Sequence, residues 1–282
     1  MMKFNRKYNL YVLPSGGGAK QALNVNDLRV DFTIKKDDSQ SNNTLELSIY
    51  NLSEATKSFV QQTGNILLME AGYENNTPEI FRGVIDTVGE DKSGGDVETK
   101  IKANDGEQFV GRMISKSFQG KVFPSEVVKY IAGSLQLKYE ITGNIDTKPY
   151  NNGYVIYGDG LLQLKKVLNR VGYTFSIQNG KLDIVPAENE RIIKKPVYLV
   201  NSETGLLEEP KSDNEKGKVG SKKREGNKYK IETLLAPEII SNTKINLVSK
   251  KIKSVMLVKE VKHIGNNQEG DWKTEMKAVV DA

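Results

Sequence analysis

The chain has 282 residues. At about 150 residues per domain, that leaves room for two domains or three small ones. Hydrophobic residues make up 37% and charged residues 27%, the usage of folded soluble proteins, which excludes collagen-like, mucin-like and wholly disordered chains. There is no cysteine and one histidine, His263. Disulfide staples, thiolate metal sites, cysteine nucleophiles and multi-histidine metal sites are therefore excluded.

The net charge is +5 and is interleaved rather than striped, whereas a nucleic-acid binder concentrates its cations on one face. The densest basic patch, Lys222-Lys223-Arg224, is flanked by Glu208, Glu209, Asp213, Glu215 and Glu225, and reads as a solvated loop. The longest apolar runs, such as Ile66 to Met69 and Val255 to Val258, are strand-length, far short of the ~20 residues of a spanning helix. No signal-like apolar run opens the chain. Together with the lack of cysteine, this points to folding in a reducing cytoplasm.

In chain order, the first ~115 residues alternate with a period of two, as half-buried strands do. Tyr8 to Leu13 alternates and breaks at Pro14-Ser15-Gly16-Gly17-Gly18. Leu28, Val30, Phe32 and Ile34 share one face, and so do Leu45, Leu47 and Ile49. Ser53 is a candidate N-cap for a short helix to about Gln62. Strands follow at Ile66 to Tyr73, Ile80 to Val88 and Val97 to Ala103. The Gly16-Gly17-Gly18-Ala19-Lys20 run lacks the ending of a phosphate loop and reads as a turn.

The period changes in the middle. Val127, Val128, Ile131, Ala132 and Leu135 follow helical spacing after Pro124, as do Leu161, Leu164, Val167, Leu168 and Val171 after Asp159-Gly160. Gly172 ends the second helix. Tyr173 to Ile177 and Leu182 to Val185 flank Asn179-Gly180, a hairpin signal. After Pro186, strands resume at Val197 to Val200, Tyr229 to Leu235, Lys244 to Val248, Ser254 to Ile264 and Trp272 to Val280. The expected architecture is mainly β (α+β). It has two antiparallel β-barrel domains, residues 1–118 and 189–282, flanking a small α/β domain, residues 119–188, with a long charged loop at 208–230.

Two segments match across this division. Gly95-Asp96-Val97-Glu98-Thr99-Lys100-Ile101-Lys102-Ala103 parallels Gly270-Asp271-Trp272-Lys273-Thr274-Glu275-Met276-Lys277-Ala278. The preceding strands, Gly83 to Gly89 and Lys259 to Gly265, align on their closing glycines. The expectation is two hairpins of one shape in two separate barrels, with Trp272 in the core of the second. His263 is expected to be a structural or surface histidine rather than a ligand, and to point away from Ile264.

These residues resemble a known family. Thr44 to Ser53, Phe81-Arg82-Gly83-Val84-Ile85 and the Gly-Asp hairpin look like the first tube-like domain of phage and contractile-tail baseplate hub proteins. Val200 to Leu207, Thr233 to Ile239, Val261 to Gly265 and Gly270-Asp271-Trp272 are similar to the second. The resemblance implies a structural virion component, a homotrimer forming a pseudo-hexameric ring. That ring would be a symmetry adaptor between the sixfold tail tube, or its initiator, and a threefold spike, beside baseplate wedge proteins. It would sit in the tail baseplate after assembly in the host cytoplasm. Larger hubs carry a fused spike or hydrolase, and this chain stops after the second barrel, so the resemblance implies such activity on another chain.

No enzymatic activity is expected, and no catalytic, cofactor-binding or metal-binding residues are assigned. Asp86, Glu90, Asp91 and Asp96 cluster as glycosidase carboxylates do, but fall on a hairpin and its tip, where they read as solvated. No cofactor and no sequence-specific nucleic acid is expected. The alternative is a stand-alone β-rich module for cell-wall glycan or nucleic acid, stacking on Trp272 and the tyrosines of Tyr150 to Tyr157.

Overall fold

A computed structural model describes residues 5–14, 23–37, 43–62, 64–74, 76–93, 95–105, 112–178, 181–187, 197–213 and 228–280. The Gly16-Gly17-Gly18 run, the Asn179-Gly180 turn and Lys222-Lys223-Arg224 lie outside the described residues. The chain forms two compact units. One takes Met1–Asp38, Asn43–Asn104 and Lys195–Ala282; the other takes Ser39–Asn42 and Asp105–Lys194.

The first unit begins with β1 (Arg6–Leu13), β2 (Leu23–Asn24), β3 (Val30–Asp37) and β4 (Thr44–Tyr50). Helix α1 (Glu54–Val60) follows, and the Ser53 hydroxyl accepts a hydrogen bond from the Thr56 N–H as its cap. Next come β5 (Ile66–Tyr73), β6 (Glu79–Ser93) and β7 (Asp96–Asn104).

The second unit holds β8 (Met113–Phe118), α2 (Pro124–Ser134), β9 (Lys138–Ile141), β10 (Tyr154–Asp159), α3 (Gly160–Val171), β11 (Tyr173–Gln178) and β12 (Lys181–Pro186). Its two helices pack on a small core that includes Ile131, Leu164, Leu168 and Ile184. The expected start of this unit at 119 is too late. Strand β8 pairs with β10, and its inward Ile114 belongs to the α/β core. Only one apolar side chain of β8 is buried, so its pattern carries little sign of which partner it takes.

Helix α3 shows both terminal devices. Asp159 Oδ1 accepts from the Leu162 N–H at 2.9 Å, and Gly172 closes the helix at φ 78°, the left-handed conformation in which a side chain is strained.

The chain then returns to the first unit with β13 (Tyr198–Val200), β14 (Lys211–Ser212), β15 (Lys228–Leu234), β16 (Lys244–Val248), β17 (Lys253–Asn266) and β18 (Trp272–Val280). The loop expected from 208 to 230 thus contributes a strand at each end, although residues 214–227 are not among those described.

Strand order repeats. The earlier β portion runs β3-β4-β7-β6-β5-β1, and the later one runs β14-β15-β18-β17-β16-β13. Each portion has its own core, one around Leu10, Ile34, Leu47 and Phe81, the other around Ile231, Leu247, Met256 and Met276. The two are joined edge to edge. Residues Glu260–Asn266 of β17 pair with Asp37–Asp31 of β3, so both portions share one 13-stranded sheet.

The repeat extends to an irregularity. Strands β6 and β7 slip register between Ile85, opposite Ala103, and Thr87, opposite Lys102. Strands β17 and β18 slip between Val258, opposite Ala278, and Glu260, opposite Lys277. A bulge of this kind bends the strand and raises its twist. The return strands therefore align as the sequence suggests, whereas the outgoing strands do not. Register equates Ile85 with Val258, while matching the glycines equated it with Val261. The glycine anchor misleads because Gly89 pairs with Lys100 within β6, which runs on to Ser93.

Replacing Asp159 with Ala removes the cap of α3. The expected loss is about 1 kcal/mol, read as a lower urea midpoint at unchanged slope.

Candidate assembly surface

The shared sheet has two unlike faces. One is apolar and covered, carrying Ile34, Leu47, Ile101, Ile231 and Met276 among its buried side chains. The other is polar because alternate residues of every strand point there. Lys230 and Glu232 of β15 share it with Lys273, Glu275 and Lys277 of β18, and with Glu260 and Lys262 of β17. Across the junction it continues through Asp31, Thr33 and Lys35 of β3, Glu46 and Ser48 of β4, and Glu98, Lys100 and Lys102 of β7.

Charges of both signs mix on this face, with ion pairs within and between strands, although Lys230 lies opposite Lys277 and Lys262 opposite Lys35. Lys273 Nζ lies 2.9 Å from Glu275 and 3.2 Å from Glu232, and Lys277 lies 2.7 Å from Glu260. Lys100 lies 3.1 Å from Asp91. The hydrogen bond to Glu275, reinforced by Glu232, raises the Lys273 ammonium above its ordinary range. Exposed pairs of this kind contribute about 0–1 kcal/mol each. Their consequence is a face on which Lys100, Lys230, Lys262, Lys273 and Lys277 have carboxylate partners.

That face is concave where the β portions meet. A cleft of about 380 Å³ is lined by Lys35, Lys230, Glu232, Glu260, Lys262 and Glu275 among others. A second, of about 540 Å³, is lined by Asp31, Thr33, Glu46, Ser48 and Ile264 among others.

The junction is fastened beyond its backbone ladder. Trp272, expected in the core of the later portion, packs in the core of the earlier one. Its ring meets Phe32 edge-on at 5.4 Å, and its Nε1 donates to the Gly72 carbonyl at 3.2 Å. Gly265 permits this approach, since a Cβ there would drive into the Phe32 ring and lie 2.8 Å from Trp272. Arg6 donates to the Asn266 and Gly270 carbonyls, each at 2.9 Å. Asn267 accepts from the Val30 N–H at 2.8 Å and donates to the Leu28 carbonyl at 2.9 Å. Partly buried Tyr73, its phenol pushed up to about 12 by burial, accepts from the Leu235 N–H at 3.1 Å.

His263 is fully buried on β17 opposite Ile34, pointing away from Ile264. Its Nδ1 shares a 2.9 Å hydrogen bond with the Thr274 hydroxyl, which also accepts from the Ala236 N–H. Burial, helped by the Lys36 charge, holds its pKa well below 6.5.

The acidic cluster does not converge. Glu90 lies 3.1 Å from Lys57, which keeps its carboxyl below the ordinary value. Asp91 binds Lys100, and Asp96 accepts from Asn51 at 3.1 Å. Among the described residues, no group of three His, Cys, Asp or Glu side chains is placed to hold a metal ion. No helix among them is long and apolar enough to cross a membrane. Tyr150 stacks on Tyr154 at 4.0 Å, with the Arg170 guanidinium over its ring.

No protein-family model matches the sequence, and no curated protein matches it. Solved structures do. The fold is similar to the 43 kDa tail protein of prophage MuSo2 from Shewanella oneidensis, with a TM-score of 0.66, 9% identity and coverage of 98% of this chain and 97% of that one. It is similar to a tail protein from Neisseria meningitidis, with a TM-score of 0.64, 12% identity and coverage of 98% and 97%. An Escherichia coli component of the type VI secretion system, described as structurally similar to the T4 tail proteins gp27 and gp5, aligns with a TM-score of 0.60 and 10% identity over 90% of this chain and 73% of that one. The chain therefore has the β-rich fold of phage tail and hub-like proteins.

Two outcomes are expected. Trp272→Ala should lower stability by roughly 3–5 kcal/mol; a loss below about 1 kcal/mol in denaturant melts would show that the ring is not core. The second concerns pH. Buried His263 stays neutral where the unfolded imidazole binds a proton, so stability should fall as pH drops below 6.5. The slope reaches about 1.4 kcal/mol per pH unit. His263→Gln should flatten that slope; an unchanged slope would assign it to other groups.

Proposed function

We propose that this chain is the structural hub of a phage or phage-like tail. Three copies form a ring in which the two β portions serve as quasi-equivalent tube-like modules, six per ring. One side of the ring docks a sixfold tube and the other a threefold spike, with baseplate wedge proteins around it and the virion tail as its place. The α/β unit is an insert between the modules.

The carrying observation is the six-strand order that occurs twice within one sheet, with a bulge at the matching position. A chain with two like modules can supply sixfold-like contacts while keeping threefold symmetry. The likeness of its fold to tail proteins from Shewanella oneidensis and Neisseria meningitidis supports the same reading.

The concave polar face supports the placement of the bore. The apolar face carries the further layer of β5, β1, β16 and β13 and so takes the larger radius when the sheet closes. The polar face then turns inward. Lys100, Lys273 and Lys277 suit passage, because a polyanion gains affinity when unpaired cations displace its counterions, and these three already have carboxylate partners. The module reading for glycan or nucleic acid loses its main stacking ring, since Trp272 is only 4% exposed.

The test is the mass of the native protein by analytical ultracentrifugation across concentration, followed by electron microscopy. The expected species is three times the 31.4 kDa chain, seen as a ring with a central hole. A monomer at every concentration, both alone and with tube and spike chains, would overturn the proposal.

A further inference from the structure

Each module has a strand that pairs with two partners on one side. In β17, residues up to Leu257 pair with β16, and residues from Glu260 onward pair with β3. In β6, residues up to Val84 pair with β5. On that side, Thr87 onward has no strand among the described residues. The outer side of β14 is also open among the described residues. By strand order, β6 corresponds to β17 and β14 to β3. The within-chain junction thus has one half of its counterpart on the later part of β6 and the other on β14.

Register makes the correspondence specific. Lys100 faces Gly89 as Glu275 faces Lys262, so Asp91 corresponds to Ile264. Lys211 faces Lys230 of β15 as Thr33 faces Glu46 of β4, so Lys211 corresponds to Thr33. Within the chain, Ile264 faces Thr33. We infer that β6 of one subunit pairs antiparallel with β14 of a second copy of this chain, with Asp91 opposite Lys211 and Glu90 opposite Ser212.

Physical chemistry favours this occupant. The two edges are different surfaces of one chain, so their contact is head-to-tail and either closes into a ring or propagates. Opposite charges face each other across the pair, which stabilises a cross-strand contact. Open edges recruit other strands unless blunted. Pro210, next to β14, lacks an N–H and shortens the ladder that this edge can offer to unrelated strands. Strand β14 is only two residues long, so the isolated edge is weak, and its pairing depends on several junctions forming together.

The inference rests on the ring proposed above, and the test separates the two. The chain has no cysteine, so engineered pairs report without background. Asp91→Cys with Lys211→Cys in the full chain should give, on mild oxidation, covalent species up to a trimer that reduction dissolves. Ile264→Cys with Thr33→Cys marks the corresponding within-chain position and should cross-link inside one chain. Asp91→Cys with Glu232→Cys, a mid-sheet position, should give no covalent oligomer. If the native mass of the Asp91/Lys211 variant is trimeric and no intersubunit bond forms while the Ile264/Thr33 bond does, the edge assignment is wrong and the ring stands. If the protein is monomeric, both fail. Covalent oligomers from the Glu232 pair would also overturn the assignment.

Discussion

The antiparallel ladder between β17 and β3, from Glu260 opposite Asp37 to Asn266 opposite Asp31, is the constraint on which the rest depends. It turns two β modules with separate cores into one sheet with a covered face and a polar face. Without it, each module would expose a long edge where strand pairing is unsatisfied. With it, the outer side of β14 and the later part of β6 are among the edges left open among the described residues, and the proposed subunit contact joins these two.

Side chains commit the junction to one register. A slip of one residue would turn every inward side chain outward. Phe32, Gly265 and Trp272 oppose such a slip by shape, because the two rings meet only where a residue lacks a Cβ. Arg6 and Asn267 oppose it by hydrogen bonds from the earlier module to the tip of the β17–β18 hairpin and back. His263 lies inside the junction, hydrogen-bonded to Thr274 and neutral. The one histidine of the chain is thus a structural group whose desolvation links stability to pH.

The same geometry separates the acidic residues that cluster in sequence. The acidic residues that cluster in sequence around Glu90 alternate along β6, so Glu90 meets Lys57 while Asp91 meets Lys100 on the other face. Charge across the polar face is spent in cross-strand pairs such as Lys277 with Glu260. The proposed ring draws on surface instead: strand edges and a concave face of mixed charge.

Much of this was legible in the sequence, because short-range rules decide it. The alternation of Leu45, Leu47 and Ile49, the Ser53 cap and the Gly172 stop each depend on neighbours in the chain, and each appears where the pattern places it. The return strands of the two hairpins also matched, since Ala103 and Ala278 sit at equal distances from their Gly-Asp turns. Other features depended on partners distant in sequence. Strand β8 carries one buried apolar side chain and takes its place from β10, and β14 is a pair of residues in a charged stretch ordered by β15. Trp272 looks like a core residue from sequence alone, but only the β17–β3 ladder brings it against Phe32 rather than into its own module. Alternation determines which way a residue faces along its strand; which strand lies beside it is fixed by long-range hydrogen bonds that no local pattern encodes.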